Sequence, residues 1–212
     1  MKCVSVIVAG AALGATFASQ AMAQSLTVRH TFEQRSPYMR VFGSSQPPYG
    51  FVRFCEQNAS YCQSRGAGTR FEATPERLSD LDEVNRLVNR SIEPATDMEI
   101  YGTSEYWTLP DKKGDCEDYA LLKQKILIGR GWPSSSLLLT VVRDEKGEGH
   151  AVLTARTSQG DFILDNKSDA VRLWTRSSYQ FVMRQSYLDP KVWVSLAPQD
   201  PGIAPALAGV QE

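Results

Sequence analysis

The sequence is poor in histidine and cysteine, and neither charge sign dominates it. Two histidines and four cysteines occur among 212 residues, and 23 lysines and arginines face 24 aspartates and glutamates. The resulting net charge of −1, with no basic stripe between aromatic residues, excludes a general attraction to nucleic acid or anionic lipid. After the N-terminal segment, no apolar run reaches the ~20 residues of a bilayer span. The predicted partners are therefore small molecules or proteins, and not nucleic acid.

The first 23 residues have the pattern of a cleaved export signal. Lys2 supplies a positive start, residues 4–17 are hydrophobic, and Ala21-Met22-Ala23 is a small-residue cleavage site. The alternative is a helix packed in the core or anchored in a membrane, although the hydrophobic run is shorter than a bilayer span. We predict a signal peptide at residues 1–23 and export to an oxidising compartment.

The rest of the chain divides by composition. With 212 residues, 42% of them hydrophobic, the protein can bury one sizeable core. We predict an irregular N-terminal arm at residues 24–46 and a single domain at residues 47–195. The final segment, residues 196–212, has a proline-, alanine- and glycine-rich composition without periodicity, which predicts a disordered tail.

Hydrophobic periodicity predicts helices followed by strands within the domain. Thr74 and Pro75 begin a helix that runs to about residue 90. A second helix starts near Asp115 and ends at Gly129-Arg130-Gly131. Its only polar strip is Lys123-Gln124-Lys125, so we expect the rest of its surface to be buried. Short β-branched or apolar runs then predict an antiparallel sheet, and hence an α+β fold, from strands at residues 137–143, 150–157, 161–165, 179–187 and 191–194.

Three cysteines are left if Cys3 departs with the signal peptide. In an oxidising compartment, an odd number indicates one disulfide and one free thiol. Cys55 and Cys62 are close in sequence, so a disulfide that closes a small loop is the economical pairing, and two buried free thiols are the alternative. Cys116 is then unpaired. It lies at a predicted helix N-terminus, where the helix dipole favours the nucleophilic thiolate.

A nucleophilic thiol needs a general base, and His150 is the better placed of the two histidines. His30 lies in the irregular arm, whereas His150 opens a predicted strand. If a two-residue loop at Ser158-Gln159 joins this strand to the next, His150 and Asp165 share one face of the sheet, ~7–8 Å apart. A three-residue loop would separate them. The alternatives are a structural histidine and, at Asp165-Asn166, a simple strand-ending turn.

Three carboxylates flank the cysteine: Asp115, Glu117 and Asp118. They raise the pKa of a neighbouring thiol, yet they also suit a helix N-terminus as caps and dipole partners. A bound Ca²⁺ would cancel the electrostatic penalty, because clustered carboxylate oxygens are its preferred ligands. Capping without a metal is the alternative.

These segments resemble the bacterial transglutaminase-like cysteine proteinases. The resemblance covers residues 47–194 and rests on Gly114-Asp115-Cys116-Glu117-Asp118-Tyr119-Ala120, Gly131-Trp132-Pro133, Gly149-His150-Ala151-Val152-Leu153 and Leu164-Asp165-Asn166. It includes the Pro47-Pro48-Tyr49-Gly50 region, the Cys55 and Cys62 region, and Trp107. It implies a papain-like or transglutaminase-like core in which the helix bearing the nucleophile packs on a small antiparallel sheet.

The resemblance also implies roles for individual residues. Cys116, His150 and Asp165 would form the catalytic triad of a thiol protease, and the acidic residues Asp115, Glu117 and Asp118 would bind calcium. Trp107 is a candidate oxyanion donor, with an ordinary core aromatic as the alternative. The LapG-type branch of this family acts in the periplasm on a large surface adhesin. The partners that the resemblance implies are a protein substrate, for which such an adhesin is one candidate, and an inhibitory membrane receptor.

Hydrolysis of a peptide bond in a periplasmic or surface protein is the preferred prediction, and two other functions are open. The same triad can transfer the acyl group to a lysine amine, which would make the protein a cross-linking transglutaminase. The third possibility is a non-enzymatic, calcium-stabilised binding module.

Overall fold

The computed structural model describes residues 36–63 and 68–198, in which a seven-stranded antiparallel sheet packs against helices. The helices are α1 (Tyr49–Gln57), α2 (Pro75–Ser91), α3 (Asp97–Tyr101) and α4 (Cys116–Gly129). The strands are β1 (Gly43–Ser45), β2 (Glu93–Pro94), β3 (Lys113–Gly114), β4 (Leu137–Arg143), β5 (Gly149–Thr157), β6 (Gly160–Asp165), β7 (Ser168–Leu173), β8 (Gln180–Gln185) and β9 (Trp193–Ser195). Over these two ranges, no helix has the length and apolar character needed to cross a membrane. The predicted α+β class is confirmed.

The large sheet has the strand order β1-β9-β8-β4-β5-β6-β7, and every neighbouring pair is antiparallel. Thr157 lies opposite Gly160, so Ser158 and Gln159 form the two-residue loop on which the placement of His150 and Asp165 depends. The strands β2 and β3 form a separate parallel pair. This pair holds the segment before α3 beside the segment before α4.

Local sequence signals explain the two long helices. Thr74 caps α2 by accepting a hydrogen bond from the Arg77 N–H, and Pro75 occupies the first helical position. Helix α4 ends at Gly129, and Gly131 just beyond it has φ of 88°, a left-handed conformation that glycine adopts without strain. Both predicted helices are therefore present.

The sheet buries apolar side chains on both of its faces. One face packs with α1, α2 and α4 around a core that includes Leu81, Val84, Leu121, Leu127, Leu139, Leu153 and Ala155. The other face carries a smaller cluster of Met39, Val142, Val152, Ile163 and Leu196, with Trp174, Tyr179 and Phe181 against it. Because side chains alternate along a strand, His150 lies on the same face as Val152, away from α4.

The prediction of a polar strip at Lys123-Gln124-Lys125 is wrong for two of its three residues. Lys123 and Gln124 are 1% and 4% exposed, and Lys125 alone is exposed to solvent. Gln124 donates from Nε2 to the Leu137 carbonyl at 2.7 Å, which ties α4 to the sheet. The Lys123 ammonium lies over the Tyr119 ring, and burial lowers the pKa of Lys123 to about 7.

Several elements were not predicted. Helices α1 and α3 and strand β7 lack a long periodic run, and β1, which pairs with β9, lies inside the predicted irregular arm. The predicted signal peptide, residues 24–35 of the arm and residues 199–212 of the tail lie outside the described residues. Cys55 and Cys62 are joined as a disulfide, with Cα atoms 5.6 Å apart.

Helix α1 brings its backbone against Trp107. A Cβ atom at Gly50 would lie 2.3 Å from Cδ1 of the Trp107 indole, far inside van der Waals contact. The indole also makes edge contacts with Phe51 and Trp193, with ring centroids 5.7 and 6.3 Å apart. Only glycine fits at position 50 without displacing this aromatic group.

We predict that Gly50→Ala lowers the free energy of unfolding by about 1–3 kcal/mol, because the added methyl group overlaps the indole. Urea denaturation measures the change. The matched control is Gly129→Ala, where a Cβ atom meets nothing within 4 Å. That helical position should gain up to about 1 kcal/mol. Equal effects of the two substitutions would contradict the close approach.

Candidate active site

Cys116 is the first residue of α4, and its sulfur touches the start of β5. The Sγ atom accepts a hydrogen bond from the Ala151 N–H at 3.3 Å, and the thiol donates to Oε2 of Glu117 at 3.2 Å. Ala151 follows His150 directly in β5. The first turn of α4 and the histidine strand therefore meet at the sulfur, which is the free thiol of the described residues.

His150 and Asp165 form a buried pair on the second face of the sheet. Nε2 of His150 lies 2.9 Å from Oδ1 of Asp165. Burial raises the pKa of Asp165, but hydrogen bonds from His150, Tyr179 and the Lys167 N–H outweigh it and hold the pKa below its ordinary value. Asp165 is therefore a carboxylate at neutral pH, and Nε2 carries the proton that it accepts. The neutral imidazole then has Nδ1 unprotonated and able to take a proton.

The sulfur and the imidazole are not joined by a hydrogen bond among the residues described. Glu117 instead accepts the proton of the Cys116 thiol. Burial raises the pKa of this thiol well above its ordinary value, and the neighbouring Glu117 raises it further. This arrangement holds Cys116 as a thiol, and a thiolate requires a change in the charge around it.

Trp107 is buried, as expected for a core aromatic. Its indole N–H donates to Oε2 of Glu105 at 3.1 Å. A role for Trp107 as an oxyanion donor stays a prediction.

Three carboxylates converge beside the cysteine: Asp97, Asp115 and Glu117. One oxygen from each lies within 4.8 Å of the others. Calcium binds oxygen at 2.3–2.6 Å, so oxygens up to ~5 Å apart can share one ion. Oδ1 of Asp97 and Oδ1 of Asp115 are buried without a hydrogen-bond partner. Asp115 occupies the N-cap position of α4 but makes no capping hydrogen bond. The geometry fits a cation better than it fits capping.

The group of three differs from the predicted metal ligands by one member. Asp118 is not part of the group of three. Its Oδ1 accepts the Thr108 N–H at 2.9 Å, and its Oδ2 is buried without a hydrogen-bond partner. Asp97 joins the group through α3, and its N–H donates to Oδ2 of Asp115 at 3.3 Å. Sequence reasoning missed Asp97. The available signal was Thr96, whose capping box with Glu99 marks the start of a helix at that point.

Burial keeps this acidic region partly protonated. It raises the pKa of Asp97 to about 6 and that of Asp118 to about 8. The pKa of Glu117 rises well above its usual range, first through burial and then through the charge of Asp115. Without a cation, these carboxyl groups therefore release their protons at a higher pH than carboxyl groups at the surface do.

We predict that, in the presence of a chelator, the melting temperature falls as the pH rises from 6 to 8. The folded-state pKa values of Asp97 and Asp118 lie above the unfolded value of about 3.9. Their contribution to stability is therefore present at low pH and lost as the pH rises through the folded values. Scanning calorimetry at several pH values measures the slope.

Asp118→Asn should flatten this slope between pH 7 and 8, because the amide keeps an oxygen for the Thr108 N–H and does not titrate. Asp111→Asn, at an exposed position, is the control and should leave the slope unchanged. If Asp118→Asn and Asp111→Asn give the same slope, the buried Asp118 carboxyl is not its cause.

The chain matched no curated protein. It is similar to calcium-bound LapG of Legionella pneumophila, with a TM-score of 0.49 and 25% identity over 63% of this chain and 76% of that one. It is also similar to EGTA-treated LapG of that organism, with a TM-score of 0.45 and 28% identity over 53% of this chain and 64% of that one.

A family profile described as bacterial transglutaminase-like cysteine proteinase BTLCP matches residues 41–201. The match confirms the predicted transglutaminase-like core and the assignment as a cysteine peptidase. It covers well over half of the sequence, and the chain therefore belongs to the bacterial transglutaminase-like cysteine proteinases.

Proposed function

We propose that the protein is a periplasmic cysteine protease that cuts an exported protein with a triad of Cys116, His150 and Asp165. The observation that carries the proposal is the junction of α4 with β5. The sulfur accepts the Ala151 N–H, and the adjacent His150 is held at Nε2 by Asp165. The sulfur thus touches the residue next to the base in β5, and Asp165 orients that base.

The protonation states of Cys116, His150 and Asp165 determine the proposed steps of peptide-bond hydrolysis. Nδ1 of His150 takes the thiol proton of Cys116, and the thiolate attacks the carbonyl carbon of the scissile amide. The imidazolium, stabilised by Asp165, then donates its proton to the leaving amine, and a thioester to Cys116 is left. His150 next takes a proton from water, whose oxygen attacks the thioester. The thiol is restored when the sulfur leaves and receives that proton.

The negative oxygen of each tetrahedral intermediate needs donors. The backbone N–H of Cys116 is one candidate, because it belongs to the unpaired N–H groups of the first turn of α4. The Trp107 indole is the second candidate, and it would have to exchange its bond to Glu105 for one to the substrate. Each well-placed donor contributes about 3 kcal/mol to lowering the barrier.

Calcium is the proposed cofactor, held by Asp97, Asp115 and Glu117. A bound Ca²⁺ supplies positive charge next to the nucleophile. Glu117 is the residue that connects the two sites, since its carboxylate belongs to the group of three and also accepts the thiol proton. With a cation bound there, the Glu117 carboxylate would repel the thiolate less, and the pKa of Cys116 would fall.

The place and the substrate of the reaction are proposed from the sequence. The signal-like pattern of residues 1–23 supports export, and the resemblance to the LapG-type branch supports a periplasmic site of action. A peptidase family implies a protein substrate. We propose a large surface adhesin as that substrate and an inhibitory membrane receptor as a further partner.

We predict that exported proteins of the producing cell are trimmed in the parent strain and not in a Cys116→Ala strain. Loss of the attacking sulfur removes covalent catalysis, so cleavage should fall by at least about 10³-fold. Mass spectrometry of new amino termini measures it. Lys125→Ala, on the exposed side of α4, is the matched control and should trim normally.

The same experiment separates the alternatives. Isopeptide-linked products without new amino termini would indicate acyl transfer to lysine. Identical exported proteins in the parent and Cys116→Ala strains would contradict hydrolysis. With purified protein, EGTA should reduce cleavage and the melting temperature, and calcium should restore both. If neither quantity responds, calcium has no part in the function.

A further inference from the structure

Tyr179 contacts both partners of the buried histidine–aspartate pair. Its hydroxyl donates to Oδ2 of Asp165 at 2.7 Å, while Nε2 of His150 lies 2.9 Å from Oδ1. The Tyr179 ring meets the imidazole edge to face, with centroids 5.5 Å apart and planes at 74°. One side chain, placed just before β8, therefore touches the carboxylate and the base together.

The Asp165 carboxylate has three donors, and they divide between its oxygens. Oδ1 accepts from His150 and from the Lys167 N–H, and Oδ2 accepts from Tyr179. The Lys167 bond is part of the turn between β6 and β7. Tyr179 is thus the donor that holds the second oxygen and keeps the first one turned towards the imidazole. Burial, followed by the bond to Asp165, raises the pKa of the Tyr179 phenol, so the hydroxyl stays a donor.

A pocket of about 230 Å³ opens beside this pair, lined by Asp165 and Tyr179 together with Glu145, Lys167, Arg172 and Ser178 among others. Without the hydroxyl, water in this pocket would be the remaining partner for Oδ2. Water can hydrate the carboxylate but does not fix its orientation, because it is not anchored to the sheet. The Tyr179 hydroxyl therefore fixes the orientation of the Asp165 carboxylate, which solvent does not.

We propose that Tyr179 is a positioning residue that fixes Asp165, and through it the Nε2–H tautomer of His150. This inference rests on the proposed triad of Cys116, His150 and Asp165. Its hydroxyl bonds to Asp165, and its ring packs against the imidazole. Its effect is to keep Nδ1 of His150 unprotonated and aimed at one place, so that the thiol proton can be transferred.

The test is Tyr179→Phe, which removes the hydroxyl and keeps the ring against His150. We expect kcat to fall by about tenfold with KM unchanged, as for the loss of one hydrogen bond to a charged group. The matched control is Tyr38→Phe. The Tyr38 hydroxyl donates to the Ser158 carbonyl at 2.6 Å, at the far end of β5. This control should keep the kcat of the wild type, and the melting temperatures of both variants should agree.

Imidazole NMR gives a readout that does not need turnover. The chain has two histidines, so removal of His30 identifies the signals of His150. The Nε2–H proton of His150 should give a protected signal in the wild type and in Tyr38→Phe. In Tyr179→Phe it should exchange with water at least about tenfold faster, the factor that accompanies the loss of one such bond.

Failure of the positioning role of Tyr179 and failure of the proposed protease function give different results. If the wild type cleaves its substrate and Tyr179→Phe matches Tyr38→Phe in kcat and in exchange, the positioning role is overturned while the proposed protease stands. If the folded wild type cleaves nothing, the proposed function fails, and the exchange of the Nε2–H proton alone decides whether Tyr179 fixes His150.

Discussion

The hydrogen bond from the Ala151 N–H to the Cys116 sulfur is the contact on which the site depends. It fixes the first turn of α4 against the first residues of β5, where His150 stands. The burial of α4 against the sheet determines where that turn lies, since Leu121 and Leu127 are fully buried and Gln124 bonds to the Leu137 carbonyl. Core packing thus places the Cys116 sulfur beside the strand that carries His150. The opposite face of the sheet supplies Asp165 and Tyr179, which hold the imidazole.

The same placement creates an electrostatic conflict. The dipole of α4 favours a thiolate at the helix N-terminus. Burial and the charge of Glu117 disfavour the thiolate and raise the pKa of Cys116. Asp97, Asp115 and Glu117 share one buried region, and oxygens of the two aspartates have no partner there. Positive charge in that region would satisfy the oxygens and favour the thiolate at once. The proposed cation site and the Cys116 thiol therefore share Glu117.

Sequence reasoning succeeded where short-range patterns determine the structure. The alternation of the strands and the two-residue loop at Ser158 and Gln159 put His150 and Asp165 on one face, as predicted. It failed where partners come from distant segments. Asp97 and Asp115 are 18 residues apart in sequence, and α3 with the β2–β3 pair brings them together. Tyr179 contacts Asp165 from a position just before β8, a strand that is not adjacent to β6. Lys123 was predicted to be exposed because it is charged, and the sequence pattern did not indicate that this side of α4 is also buried.

The proposed effect of a cation at Asp97, Asp115 and Glu117 is to make Cys116 a reactive thiolate, and the rate of alkylation measures that effect. Iodoacetamide labelling of Cys116 near pH 6, followed by mass spectrometry, reports the thiolate fraction. We predict labelling at least about tenfold faster in calcium than in EGTA, which corresponds to a fall of one unit or more in the thiol pKa. Equal rates in calcium and EGTA, or an unreactive Cys116 in the folded, calcium-treated protein, would contradict it.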